Sequence, residues 1–450
     1  MSLLRPCLFA CAVVCGVAQG AESATVEERL RRLEATVERL SDENSALRRE
    51  LGAGRAATLP VAAPTPTVAE SGRALRIASD LRFRSQSTSY EAPGVPTRVQ
   101  WLGQMHVALL TKLSETFEGA IRFSAGELNT TFGGTPLSAQ FIAGDNASRK
   151  QAFIDQLFLR WRPAMAEGAK AAVTIGKAEN VFYTPSRMLF DNDYMPEGAT
   201  EEISFQVSQR DRLWFAAGQY VLDEIPGSSR DPWMAAVRAK WEAQWQPAWS
   251  TSLGVSWFNI RYAAALTAAN VANNNRGNTR TPAGALVHGY RPFYADVTVT
   301  HLFEHAPGYA GKFPVTFSAD ALHNPAAPAQ RDAWSAGLTI GKAGKAGQWE
   351  IGYRRVSIGA DAWYEEMIEA DYGAYYRAVP PGWNTDPASL AGGPGGGTNV
   401  RSHAIRTGYS PKDYLLLSAN FFLNDLVRKI PANTTDTGAR RFQLEALVRF

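Results

Sequence analysis

Residues 441–450 read RFQLEALVRF. Phe442, Leu444, Ala446, Val448 and Phe450 alternate with Gln443, Glu445 and Arg449. A side-chain period of two puts the first set on one face of a β-strand and the polar set on the other. A two-faced strand that ends on an aromatic residue looks like the assembly signal read by the barrel-assembly machinery of bacterial outer membranes. Working outward, the same alternation recurs. Val237, Ala239, Trp241 and Trp245 oppose Arg238, Lys240, Glu242 and Gln244. Phe313, Val315, Phe317 and Ala319 oppose Thr316, Ser318 and Asp320. In the run from Leu75 to Arg84 the polar face carries Arg76, Asp80, Arg82 and Arg84.

About sixteen such segments span residues 73–450, beginning near Arg73, Val99, Thr116, Lys150, Ala171, Glu201, Arg212, Trp233, Trp249, Tyr290, Lys312, Asp332, Gln348, Asn399, Asp413 and Arg440. Their connections alternate in length. Tight turns are expected at 114–115, 210–211, 246–248 and 410–412, and long loops at 125–149, 178–200, 263–289 and 361–398. Short turns at one end and long loops at the other are the pattern of a closed antiparallel transmembrane β-barrel, an all-β fold. An even strand count leaves both ends of the barrel on the periplasmic side.

Composition narrows the alternatives. Of 450 residues, 45% are hydrophobic, 20% charged and 11% aromatic, with a net charge of +3. That is too apolar for a disordered chain and too weakly basic for a nucleic-acid binder. The mean hydropathy of -0.22 excludes a helical membrane protein. It does not exclude a barrel, whose strands average an apolar face with a polar one.

The first 72 residues are organised differently. Residues 1–20 read as a signal peptide, with Arg5 before the apolar stretch 8–17 and the small-x-small site Ala18-Gln19-Gly20. Cleavage after Gly20 removes all three cysteines, Cys7, Cys11 and Cys15, and with them any disulfide, thiolate metal site or cysteine nucleophile. Residues 22–51 form a heptad helix. Its seam is Val26, Leu30, Leu33, Val37, Leu40, Asn44, Leu47 and Leu51, spaced alternately four and three apart. Residues 52–72 are a Pro/Ala/Thr linker. The coiled coil would sit in the periplasm. A polar Asn in the seam is best known for setting register and state in dimers.

Two stretches, 190–198 (FDNDYMPEG) and 395–403 (GGGTNVRSH), resemble the bacterial putative-porin family. The resemblance covers most of 73–450. It implies an outer-membrane barrel with a water-filled pore, surrounded by lipid and assembled as a homotrimer, and some members carry an N-terminal coiled coil. The Lys-rich ladder of the phosphate-selective porins is not seen.

Alternation directs a set of charged residues into the lumen. The pore-lining candidates are Arg82, Arg84, Arg122, Arg160, Arg162, Arg238, Lys240, Arg354, Glu118 and Asp320. A lumen of this strand number is too wide for strand side chains to fill, so it is expected to stay wet. Loop 178–200 is the expected inward fold, offering Arg187 against Asp191, Asp193 and Glu197 as a constriction. The expected function is passive diffusion of small hydrophilic solutes, with a slight preference for anions because lumenal arginines outnumber acids. No reaction, cofactor or metal is expected; Asp191-Asn192-Asp193 lacks the rest of a calcium loop. The alternative is structural: the barrel anchors a coiled coil that tethers the outer membrane to the cell-wall polymer.

Overall fold

A computed structural model describes residues 75–91, 96–126, 140–144, 146, 149–267, 277–376, 393–428 and 438–450. The signal peptide, the heptad helix and the linker lie outside the described residues.

The first half of the sheet comprises β1 (Leu75–Tyr90), β2 (Arg98–Lys112), β3 (Phe117–Gly126), β4 (Phe141–Ile142), β5 (Gln151–Trp161), β6 (Ala169–Lys177), β7 (Glu197–Gln206), β8 (Asp211–Val221) and β9 (Trp233–Gln246). It continues with β10 (Trp249–Arg261), β11 (Phe293–Phe303), β12 (Phe313–His323), β13 (Asp332–Gly341) and β14 (Gln348–Ile358). A small hairpin, β15 (Gly373–Tyr376) and β16 (Gly393–Gly396), precedes β17 (Val400–Lys412), β18 (Leu415–Leu426) and β19 (Ala439–Arg449). Sixteen long strands pair antiparallel with their neighbours in the chain, and β4 adds two residues on the upper end of β2. The ring closes where β19 meets β1, from Asp80↔Arg449 to Tyr90↔Ala439. Closure satisfies the backbone of every strand and leaves no edge, which a sheet in hydrocarbon requires.

Alternation decides the two faces. On β19, Phe442 and Leu444 point outward and are about half exposed, while Gln443 lies inside at 0%. Phe83, Trp101, Leu157, Ile175, Val255, Phe317 and Ile351 continue the exposed apolar exterior around the barrel. An apolar surface of that extent is a lipid-facing one. Exposed Phe117, Trp245, Trp249, Phe303, Tyr409 and Tyr414 ring the short-turn end, and Trp101, Phe293 and Trp334 lie towards the loop end. These are the aromatic girdles of the two membrane interfaces.

The turns 113–116, 162–168, 207–210, 247–248, 304–312, 342–347 and 413–414 share one end. The connections 91–97, 127–150, 178–196, 222–232, 262–292, 324–331, 359–399 and 427–438 share the other. Most strand starts fall within a few residues of expectation, and two differences have a visible cause. The turn expected at 410–412 lies at 413–414, because β17 runs on through a register irregularity between Tyr409 and Lys412. Pro411 sits in that irregularity, the position a sheet tolerates for a residue without an N–H. β7 begins at Glu197 rather than near Glu201. Gly176 and Gly198 face each other across the ladder with φ of 119° and 156°, and a Cβ at either would run into the strand on its other side, Leu157 O of β5 or Gln219 O of β8.

The larger departure concerns the lumen. At the loop end it holds a buried apolar cluster in which Phe182, Met188, Leu189 and Phe190 from one loop meet Trp363, Met367, Ile368 and Tyr372 from another. The strand side chains are indeed too short to meet across the ring. Loops, not strands, fill the space.

Candidate pore constriction

Loops 178–196 and 359–376 turn inward and join. The Trp363 indole donates to Leu189 O at 2.7 Å, and the Tyr372 hydroxyl to Ser186 O at 2.8 Å. Asp191 N donates to Met367 O at 2.6 Å. A third loop buttresses the pair. Asn278 Nδ2 donates to Ala360 O and Trp363 O, and Arg280 forms a fully buried ion pair with Glu365 at 2.5 Å.

The joined loops cross the barrel. On one side Phe182 and Phe190 pack edge-on against Phe258 of β10, with centroids 5.8 and 5.7 Å apart. On the other, Asp371 receives Arg441 at 2.7 Å and Gln443 at 2.8 Å from β19. Asp193 lies 3.9 Å from Arg82 of β1. β10 and β1 stand half the ring apart, so the loops form a bridge that partitions the lumen.

Charge on the bridge is concentrated at one point. Arg187 meets Glu369 at 2.5 Å, and Arg406 of β17 reaches the same carboxylate oxygen at 3.5 Å. Burial opposes ionisation of Glu369, but Arg187 and then Arg406 outweigh it and hold its carboxyl below the ordinary range, despite Asp371 nearby. Asp371 is likewise held far down, because Arg84, Arg441 and Arg406 overcome its burial. Asp191 goes the other way. Burial, then the charges of Glu369 and Asp193, push it up to about 8, against hydrogen bonds from the N–H groups of Asp193 and Ala370. Arg187 takes a left-handed backbone, φ 56°, an uncommon state for a residue with a side chain and one that concentrates at functional sites.

The structure places each expected residue as follows. Arg84 pairs with Glu445, and Arg122 with Asp155. Arg160 bridges Glu118 at 3.2 Å and Glu179 at 3.0 Å, and Arg162 reaches Glu118 from the turn end at 2.9 Å. Arg238 and Asp296 form a buried pair at 2.7 Å. Lys240 meets Glu242 at 2.6 Å, and Asp320 accepts the Tyr294 hydroxyl at 2.8 Å. Arg354 is held by the hydroxyls of Ser335 and Ser318. Of the loop set, Arg187, Asp191 and Asp193 are on the bridge but do not pair with one another. Glu197 stands on the outer face of β7, 2.5 Å from Lys177.

Glu369, Asp371 and Arg406 were not singled out from the sequence. A signal for the first two was present. The loop sequence DAWYEEMIEADY, residues 361–372, mixes five carboxylates, Asp361, Glu365, Glu366, Glu369 and Asp371, with aromatics and aliphatics. Apolar residues in a long loop mark one that is packed.

A closed antiparallel barrel with an apolar exterior, a charged interior and inward loops is the architecture of a transmembrane β-barrel. In agreement, residues 74–283 match the family described as putative porin. That span includes the 190–198 motif, while 395–403 lies beyond it. No curated protein matches the chain. Among solved structures, the high-pH form of Pseudomonas putida OprB is 10% identical, with a TM-score of 0.49, over 84% of this chain and 94% of that one. A triple mutant of the Rhodopseudomonas blastica porin is 9% identical, with a TM-score of 0.41, over 84% of this chain and 100% of that one.

Proposed function

We propose that this chain is a diffusion porin for small hydrophilic solutes, with a preference for anions, and that no reaction occurs in it. The observation that carries the reading is the charge balance at the bridge. Most lumenal arginines nearer the turns are matched by a carboxylate. At the bridge, Arg187 and Arg406 share the single carboxylate of Glu369, and Arg354 has only hydroxyl partners. In a narrow aqueous passage with low-dielectric walls an uncompensated cation raises the local anion concentration. Reversal potentials in a salt gradient across a planar bilayer test this. Anion preference gives one sign, and the opposite sign or zero rejects it. Assembly as a homotrimer in lipid, insertion by the barrel-assembly machinery, and a periplasmic coiled coil of residues 22–51 belong to the same proposal.

A further inference from the structure

Arg354 differs from the other lumenal arginines. Its Nη1 donates to Ser335 Oγ at 2.7 Å and its Nη2 to Ser318 Oγ at 2.5 Å. Among the described residues no carboxylate stands within ion-pair distance of it. Gly337 makes room for it: a Cβ there would lie 3.0 Å from the guanidinium carbon. The arginine is therefore fixed by neutral groups, and three of its five N–H donors are left over.

Those donors border a cavity of about 170 Å³ between the bridge and the β11–β17 wall. Thr298, Thr316 and Thr339 line it from β11, β12 and β13, and Tyr372 borders it from the bridge. Arg406, which shares the Glu369 carboxylate with Arg187, borders the far side. The one carboxylate in the lining, Glu350, accepts the Ala343 N–H at 3.0 Å. The volume matches roughly five or six waters, the scale of a small solute.

We infer that this cavity is a subsite for a small hydroxylated carboxylate. Resting on the porin reading, it names the solute class that pauses beside the bridge. The planar fork of Arg354 suits a carboxylate, which takes two parallel N–H···O bonds. The threonine hydroxyls both donate and accept, so they match the solute's own hydroxyls. Thr316 is engaged with the Thr300 hydroxyl at 3.0 Å. A neutral polyol leaves the arginine charge unanswered, and an unsubstituted acid leaves the hydroxyls of Thr298 and Thr339 unanswered.

Single-channel recording of the full-length protein in potassium chloride tests this with D-glycerate, propionate, glycerol and inorganic phosphate as blockers. Glycerate is expected to interrupt the current at the lowest concentration. Arg354→Gln should raise its half-blocking concentration by about tenfold or more. Thr339→Val, close in shape to the native side chain, should bring glycerate down to the level of propionate. Arg355→Gln, on the outward-facing neighbour, should leave the block as it is. Equal block by all four solutes, strongest block by phosphate, or a block indifferent to Arg354→Gln and Thr339→Val overturns the subsite while leaving the porin reading intact. A protein that inserts but never conducts overturns both.

Discussion

Asp191 is the bridge carboxyl whose charge the surroundings suppress. Burial first, then Glu369 and Asp193, push it up to about 8. An undocked loop would release that proton near the ordinary carboxylate value of about 4. The docked state thus binds the extra proton across that interval, so docking weakens as pH rises from about 4 to about 8 and is constant above. Single-channel current noise should grow over this window, and Asp191→Asn should make it independent of pH; unchanged pH-dependent noise in the variant would count against the assignment. Glu369 has the opposite role, as the anion that Arg187 and Arg406 both need. Glu369→Gln leaves two arginines without their counter-charge, a loss of about 3–5 kcal/mol for a broken buried pair. The reversal potential should move further towards anions. Neither Arg187 nor Arg406 is near Glu369 or the other in sequence, so no spacing rule could have joined them.

The bridge itself is the element on which these residues depend. Trp363 is fully buried, packs at 5.2 Å from Phe258 and donates to Leu189 O. Trp363→Ala removes that packing at a cost of about 3–5 kcal/mol. The expected result is a barrel that still resists detergent unfolding but conducts more, because the bridge no longer holds its place. At the β5–β6 pairing, a Cβ at position 176 would come 2.2 Å from Leu157 O. Gly176→Ala should therefore lower the unfolding temperature, by the equivalent of about 1–3 kcal/mol of backbone strain. Strand starts were legible because one buried or lipid-facing side imposes a period of two. The β17 irregularity at Pro411 and the early start of β7 were not, because both arise from how a neighbouring strand sits.

For the whole molecule, the sixteen-strand count and the alternation of turns and loops could be read residue by residue, since every strand repeats one local pattern. Deletion of residues 22–51 addresses what the heptad segment adds. Unchanged conductance per barrel with oligomers that dissociate at lower temperature in native gels is the expected outcome. Stable trimers with a weakened cell envelope would instead assign the segment to tethering. The amino-acid sequence alone determined the all-β barrel and its apolar exterior and offered candidate charges for the interior, because strand geometry converts order along the chain directly into sidedness. Tertiary structure decided which of those charges matter. Two loops separated by more than 160 residues meet inside the lumen, and only there does Arg187 find Glu369 and Arg354 come to line an open cavity without a carboxylate partner. Pairing across such a distance is set by the closure of the ring, which no local period encodes.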